Sequence, residues 1–281
     1  MKKNAALLVL LIALNALAAP GLSAGTGAQS SGLSAATGQM AAADKDLLEL
    51  LPRATAAVLV LNVQRLLEIP LVAEALQDPD FVKVRDEFSK MSGIDLARDV
   101  AYAGWGISAT WLAAQLSTPE SLPRLKDIAI VVGLKYDRAR LQGLIKEKMP
   151  EAKEEDYNGV AVFTLVDEDT PSAATPGVLA AAGKMKFQFA LLDDSHIVLG
   201  DDPGVRSVID VLQQRAEPLA RVAEMTAFMD RVDKSGVAWS AAAYPPELAK
   251  MVADSNPLLK AIGDFKGMIT AIDDRDSTLV V

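Results

Sequence analysis

Three groups of residues in this 281-residue sequence have types and spacings that chemistry uses. The first surrounds its single histidine, His196, which follows Asp193, Asp194 and Ser195. A carboxylate, an imidazole and a hydroxyl form a nucleophilic relay when the Asp and the Ser reach opposite nitrogens of the ring. Here they sit next to one another along a predicted hairpin turn, where neighbouring side chains point apart, so the expectation is a solvated hairpin histidine. The second group is acidic: Asp167-Glu168-Asp169, Asp201-Asp202, and Asp273-Asp274 with Asp276. Several carboxylates at one turn suit calcium, but none of these runs has the EF-hand spacing, and Pro171 occupies the fifth position of the Asp167 run. Asp202 reads as a helix N-cap and the Asp273 run as a hairpin turn, so no metal site is expected. The third group is the tryptophans. Trp105 and Trp239 fall in predicted strands and read as core, whereas Trp111, in ATWLAAQL, reads as part of an exposed apolar loop and is the one binding residue expected.

Several motifs that would support an enzyme are missing from the sequence. It has no Ser-x-x-Lys, no phosphate-binding glycine loop and no His-Glu-x-x-His. With no cysteine it has no thiolate nucleophile, no disulfide and no zinc site of the cysteine type. No catalytic residue and no cofactor is therefore assigned. The net charge of −9 opposes the phosphate contacts that dominate nucleic-acid binding, and nucleic acid is not an expected partner.

The N-terminus points to export. Lys2 and Lys3 precede an apolar run from Ala5 to Leu14, and Ala16-Leu17-Ala18 and the region around Ala24 offer signal-peptidase sites. Residues 1–24 read as a signal peptide, and the run is too short to span a bilayer, so no transmembrane span is expected after its removal. Loss of Lys2 and Lys3 takes the charge from −9 to −11. Residues 25–43, mostly Gly, Ser, Ala and Thr and without charge, read as a disordered tether.

The elements that must position any site begin near Asp44. AAVLVLNV (56–63) is an apolar run of the kind found in strands covered on both faces. Asp78 and Pro79 open a helix that Gly93 ends. DVAYAGWGIS and DIAIVVGLKY read as strands, with an irregular stretch between Ser108 and Lys126. A helix opened by Asp137 follows, then a strand from Val160. KFQFALL and HIVLG form a hairpin that runs into a helix capped by Asp202 and Pro203. GVAWSAAAY (236–244), two short helices, GMITAIDD and STLVV then repeat the order of residues 56–134. The fold expected is α+β, with two related β-α-β-β modules, mainly antiparallel sheets and helices packed on one face. The modules span 44–216 and 217–281.

The stretches LLPRATAAVLVLNVQRLLEIPLVAEAL, SGIDLARDVAY and LLDDSHIVLGDDPGVRSVIDVL resemble uncharacterised exported bacterial proteins with duplicated ferredoxin-like α+β modules. That resemblance implies a binding or envelope-associated role and carries no catalytic residue. The expected function is an exported, non-enzymatic binding or structural protein of the envelope or periplasm. The alternatives are a hydrolase whose carboxylates are brought together by the fold, and a carrier of an apolar ligand. The expected partner is a protein that joins the last strand by strand addition at Thr278, Leu279 and Val280.

Overall fold

A computed structural model of the chain describes residues 47–117, 127–165, 187–255, 260, 265–272 and 277–280. The predicted signal peptide, the tether, the Asp167 and Asp273 runs, and most of the second short helix after residue 244 lie outside these residues. Among these residues ten strands are formed: β1 (Thr55–Asn62), β2 (Val100–Ser108), β3 (Ile128–Leu134), β4 (Lys153–Tyr157), β5 (Val160–Leu165), β6 (Phe187–Leu191), β7 (His196–Gly200), β8 (Ala238–Ala243), β9 (Gly267–Ile272) and β10 (Ser277–Val280). They make one sheet in the order β10-β9-β8-β1-β2-β3-β7-β6-β5-β4. Every neighbouring pair is antiparallel.

Carboxylates and amides start several of the helices. Asn62 accepts from the Arg65 N–H at 3.2 Å and opens α1 (Val63–Glu68), which α2 (Pro70–Ala75) follows. Asp78 accepts from the Phe81 N–H at 3.3 Å ahead of α3 (Pro79–Ser92), and Gly93 closes it at φ 78°. After the single turn α4 (Leu96–Asp99) and strand β2, the described part of the stretch expected to be irregular forms α5 (Ala109–Ser117). Asp137 caps α6 (Arg138–Lys148) through the Arg140 N–H at 2.9 Å. The cap of α7 (Asp202–Leu212) is Asp201, one residue earlier than predicted, with Asp202 and Pro203 inside the first turn. Two further helices, α8 (Ala223–Met229) and α9 (Pro246–Ser255), flank β8.

Helices cover both faces of the sheet, which corrects the expectation of one face. On the first, Val58, Val60, Val131, Val198, Trp239 and Ile269 pack with Val205, Val208 and Ile209 of α7 and Met225 and Met229 of α8. On the second, Ile130, Val132, Phe163, Phe189 and Leu199 pack with Leu141 and Ile145 of α6, and Leu61 and Ala238 meet Leu66 of α1. The cause lies in strands such as β1 and β3, apolar at successive positions, whose alternate side chains emerge on opposite faces and must both be withdrawn from water. Burial of each such valine or leucine is worth about 1.5–3 kcal/mol.

The boundary expected between residues 216 and 217 does not divide the sheet. β8 pairs with β1 from Ala57 opposite Ala242 to Leu61 opposite Ala238, and Trp239 shares one core with Val58 and Val60. Within the segments, β1 pairs with β2, β8 with β9, and β10 with β9.

Candidate functional site

The hairpin turn between β6 and β7 brings together the groups that sequence reasoning held apart. Asp193 Oδ1 accepts from the Ser195 N–H at 2.7 Å, an Asx turn that swings the carboxylate back over the chain. Its Oδ2 then lies 2.8 Å from Nδ1 of His196. Ser195 Oγ is 3.0 Å from Asp193 Oδ1 and 3.1 Å from the same Nδ1. His196 is only 9% exposed, not solvated, and its ring lies 6.5 Å from that of Tyr102. The Tyr136 hydroxyl donates to the Asp193 carbonyl and reaches the His196 carbonyl at 3.2 Å.

This convergence is a clasp rather than a relay. With a carboxylate at 2.8 Å, Nδ1 carries the proton and donates it to Asp193. Ser195 approaches that same nitrogen and gives its own hydroxyl hydrogen to the carboxylate, so the ring offers it no base. A relay requires the Ser on the opposite nitrogen. Partial burial pushes the Asp193 carboxyl up, but hydrogen bonds from His196 and from the Ser195 N–H outweigh it and hold the group below the usual carboxylate range. Burial raises the Tyr136 hydroxyl well above the ordinary tyrosine range.

A second turn settles what the clasp is for. Asp233-Lys234-Ser235 leads into β8 through Gly236 and Val237, as Asp193-Asp194-Ser195 leads into β7. Asp233 Oδ1 accepts from the Ser235 N–H at 2.9 Å and from its hydroxyl at 2.7 Å. Gly236 stands where His196 stands in the first turn. The Asp-x-Ser spacing before a strand is the signal that could have revealed both turns, since the Asx bond needs only those two residues.

Asp201 is a structural carboxylate as well. It accepts from the N–H groups of Asp127 at 2.8 Å, Ile128 at 3.1 Å and Gly204 at 3.1 Å, tying the start of β3 to the start of α7. Burial raises its carboxyl and outweighs those three donors. A side chain on Gly204 would strike the Ile128 carbonyl at 2.1 Å, so this close approach needs glycine. Next to it, Gln188 donates to Thr164 Oγ1 at 3.0 Å and to Asp202 Oδ1 at 3.1 Å.

The β4 edge is fastened to α7 by a polar network. Tyr157 Oη donates to Asp210 at 3.1 Å, Asn158 donates to the same carboxylate at 3.0 Å, and Arg206 lies 4.4 Å over the Tyr157 ring while pairing with Glu155. Lys153, Glu154, Glu155 and Asp156 of this strand are exposed.

Trp111 is not in an exposed loop. It lies half-buried in α5, whose first turn is capped when Ser108 Oγ accepts the Trp111 N–H at 3.2 Å. The Ala-, Leu- and Gln-rich sequence after that cap favours a helix over a loop. Trp239 is core at 1% exposure, and Trp105 is half-buried. Among the described residues no group of three or more His, Cys, Asp or Glu is placed to hold a metal ion. None of their helices is long and apolar enough to cross a membrane.

The class defined by these features is an α+β protein whose described strands form one antiparallel sheet. No family model and no curated protein matches the chain. Among solved structures, crystal form III of TP0453 aligns with a TM-score of 0.39 at 7% identity, over 81% of this chain and 74% of that one. Crystal form I of TP0453 aligns with a TM-score of 0.39 at 8% identity, over 81% and 73%. At that level of likeness the geometry of the chain itself carries the reading.

Proposed function

We propose that this chain is an exported binding protein of the cell envelope or periplasm, which meets a protein partner by strand addition at Thr278, Leu279 and Val280. The observation that carries the proposal is the difference between the two edges of its sheet. Edge strands present unpaired backbone groups, and proteins protect them with charged residues. β4 follows that rule with Lys153, Glu154, Glu155 and Asp156. β10, at the other end of the strand order, reads Ser-Thr-Leu-Val and carries no ionisable side chain. The Lys2-Lys3 start and the apolar run to Leu14 supply the export signal.

An internal duplication of a β-α-β-β unit accompanies this reading. β1-β2-β3 and β8-β9-β10 are each runs of three antiparallel neighbours, and each has helix between its first and second strands. Modules of 44–216 and 217–281 would then share a sheet through the β1–β8 pair.

Two measurements test the proposal. Mass spectrometry of the native protein is expected to find a mature N-terminus between Ala19 and Gly25, and retention of Met1 by the bulk of the protein would overturn export. A photo-crosslinking residue at Leu279 is expected to capture a defined protein in the native envelope, and one at Glu155 is not. Equal capture at both positions would remove the edge from the argument.

A second reading, a carrier of an apolar ligand, is favoured by Leu59 and Ile272, exposed by 39% and 43%. The register Leu59–Ser240–Thr270 puts them on the same face of the sheet. Saturable binding of a long-chain fatty acid, with a change in Trp105 fluorescence, would bring that reading forward.

A further inference from the structure

The register of β9 determines which backbone groups of β10 are available to a partner. Beyond the Ala243–Gly267 pair, the Tyr244 N–H bonds to the Lys266 carbonyl at 2.9 Å. That bond marks Ala243–Gly267 as a non-hydrogen-bonded pair, and antiparallel alternation then makes Ala242–Met268, Ser240–Thr270 and Ala238–Ile272 the hydrogen-bonded ones. The other side of β8 agrees: the Asn62 N–H bonds to the Val237 carbonyl at 2.8 Å, which makes Leu61–Ala238 non-hydrogen-bonded and leaves Ala238 to bond with β9. Met268, Thr270 and Ile272 thus direct their N–H and C=O groups to β8, and Ile269 and Ala271 direct theirs to β10. Ile269 faces Val280 and Ala271 faces Thr278. Thr278 and Val280 are therefore committed to β9, and the backbone groups of Ser277 and Leu279 turn outward. Among the described residues, no strand pairs with that side.

We infer that the outward N–H and C=O groups of Leu279, with those of Ser277, bind an extended, β-branched, uncharged segment of another protein that is flanked by basic residues. This rests on the strand-addition reading above and gives it an atomic site and a partner chemistry. An uncharged edge imposes no charge on the residues directly opposite, so backbone bonds and β-branched packing supply the affinity. The charge around it does the selecting. The mature chain, at −11 once Lys2 and Lys3 are gone from the −9 of the full sequence, attracts basic flanks and repels acidic ones, and a second copy would set −11 against −11.

The site predicts an asymmetry between adjacent residues. Proline at position 279 removes an outward donor and leaves the β9 ladder intact, whereas proline at 278 removes a ladder donor. The experiment uses the full mature chain and a peptide of alternating Val and Thr with paired Lys at each end, read by fluorescence anisotropy. The same peptide with Glu ends, and a Lys-ended peptide N-methylated on alternate amides, serve as comparators. The Lys-ended peptide is expected to bind, the Glu-ended one at least about tenfold more weakly, and the methylated one not at all. Leu279→Pro is expected to lose at least about tenfold in affinity while its melting temperature stays within about 2 °C. The methylated peptide keeps the test decisive if that variant fails to fold.

Undiminished binding by a folded Leu279→Pro variant, or by the methylated peptide, would overturn the site. Equal affinity for Lys and Glu ends would overturn the basic partner. Self-association of the wild type that Leu279→Pro abolishes would make the occupant a second copy and overturn it also. Failure of all the peptides to bind, alongside a specific crosslink at Leu279 in the envelope, would defeat this inference and leave the exported binding protein standing.

Discussion

Two turns of this molecule share a pattern and differ in the residue that follows it. Asp193 and Asp233 each close an Asx bond to a serine two residues on, and each turn delivers the chain into a central part of the sheet. After the first comes His196, and after the second Gly236. Because the Asp–Ser clasp forms without a histidine, it does not exist to activate one. What His196 adds is burial: its ring draws the Asp193 carboxylate onto the end of the sheet, where Tyr136 fastens the same turn from β3's side. The first turn is held by a network of side chains, and the second by the Asp233–Ser235 bonds with Lys234 lying over the Trp239 ring.

Mutations can break that comparison in order of expected effect. Asp193→Ala removes the acceptor of the Ser195 N–H and leaves a buried histidine without its carboxylate, and is expected to cost about 2–3 kcal/mol in urea unfolding. His196→Ala loses the ring packing and one charge-assisted bond, for about 1–2 kcal/mol. The double variant is expected to fall short of the sum by about 1 kcal/mol, since the two residues are in contact. Asp233→Ala, at an exposed turn, is expected to cost about 0.5–1 kcal/mol. If it cost as much as Asp193→Ala, the histidine would add nothing and the contrast would fail.

Acid sharpens the comparison further, with the smallest signal. The Asp193 carboxyl is held below its unfolded value, so its contribution is fully present above the unfolded pKa and is lost as pH falls through the folded one. The stability gap between wild type and Asp193→Asn should narrow below about pH 4, where carboxylates begin to protonate. A gap that stays constant down to acid unfolding would show that the histidine bond does not depend on the charge of Asp193.

Most of the strands could be read from the chain because their apolar runs are continuous. The run from Ala56 to Val63 already implied cover on both faces, and expecting helices on one face overlooked that. β4 was invisible: Lys-Glu-Glu-Asp-Tyr has no apolar side, and it is a strand because β5 lends it a ladder and α7 lends it Asp210 and Arg206. α5 was missed because its cap is a serine at the end of a strand, where no loop announces a helix. The Asp201 cap was placed one residue late because two aspartates precede Pro203, and only the approach of β3 decides between them. The clasp around His196 was lost to a general rule about turns that a single side-chain-to-backbone bond reverses. The β10 edge was legible as a strand, but which of its amides face outward depends on the register of β8 and β9.

The pairing of β1 with β8 also sets a clock. One of the two neighbours of β1 in the sheet, β8, is synthesised only after β2 to β7. Contacts that distant in sequence require a large loop to close before they return any energy, and they slow folding. Until residues 238–243 appear, one side of the Val58–Val60 ladder stays unpaired and adhesive. The protein becomes itself late, when its eighth strand slides in beside its first.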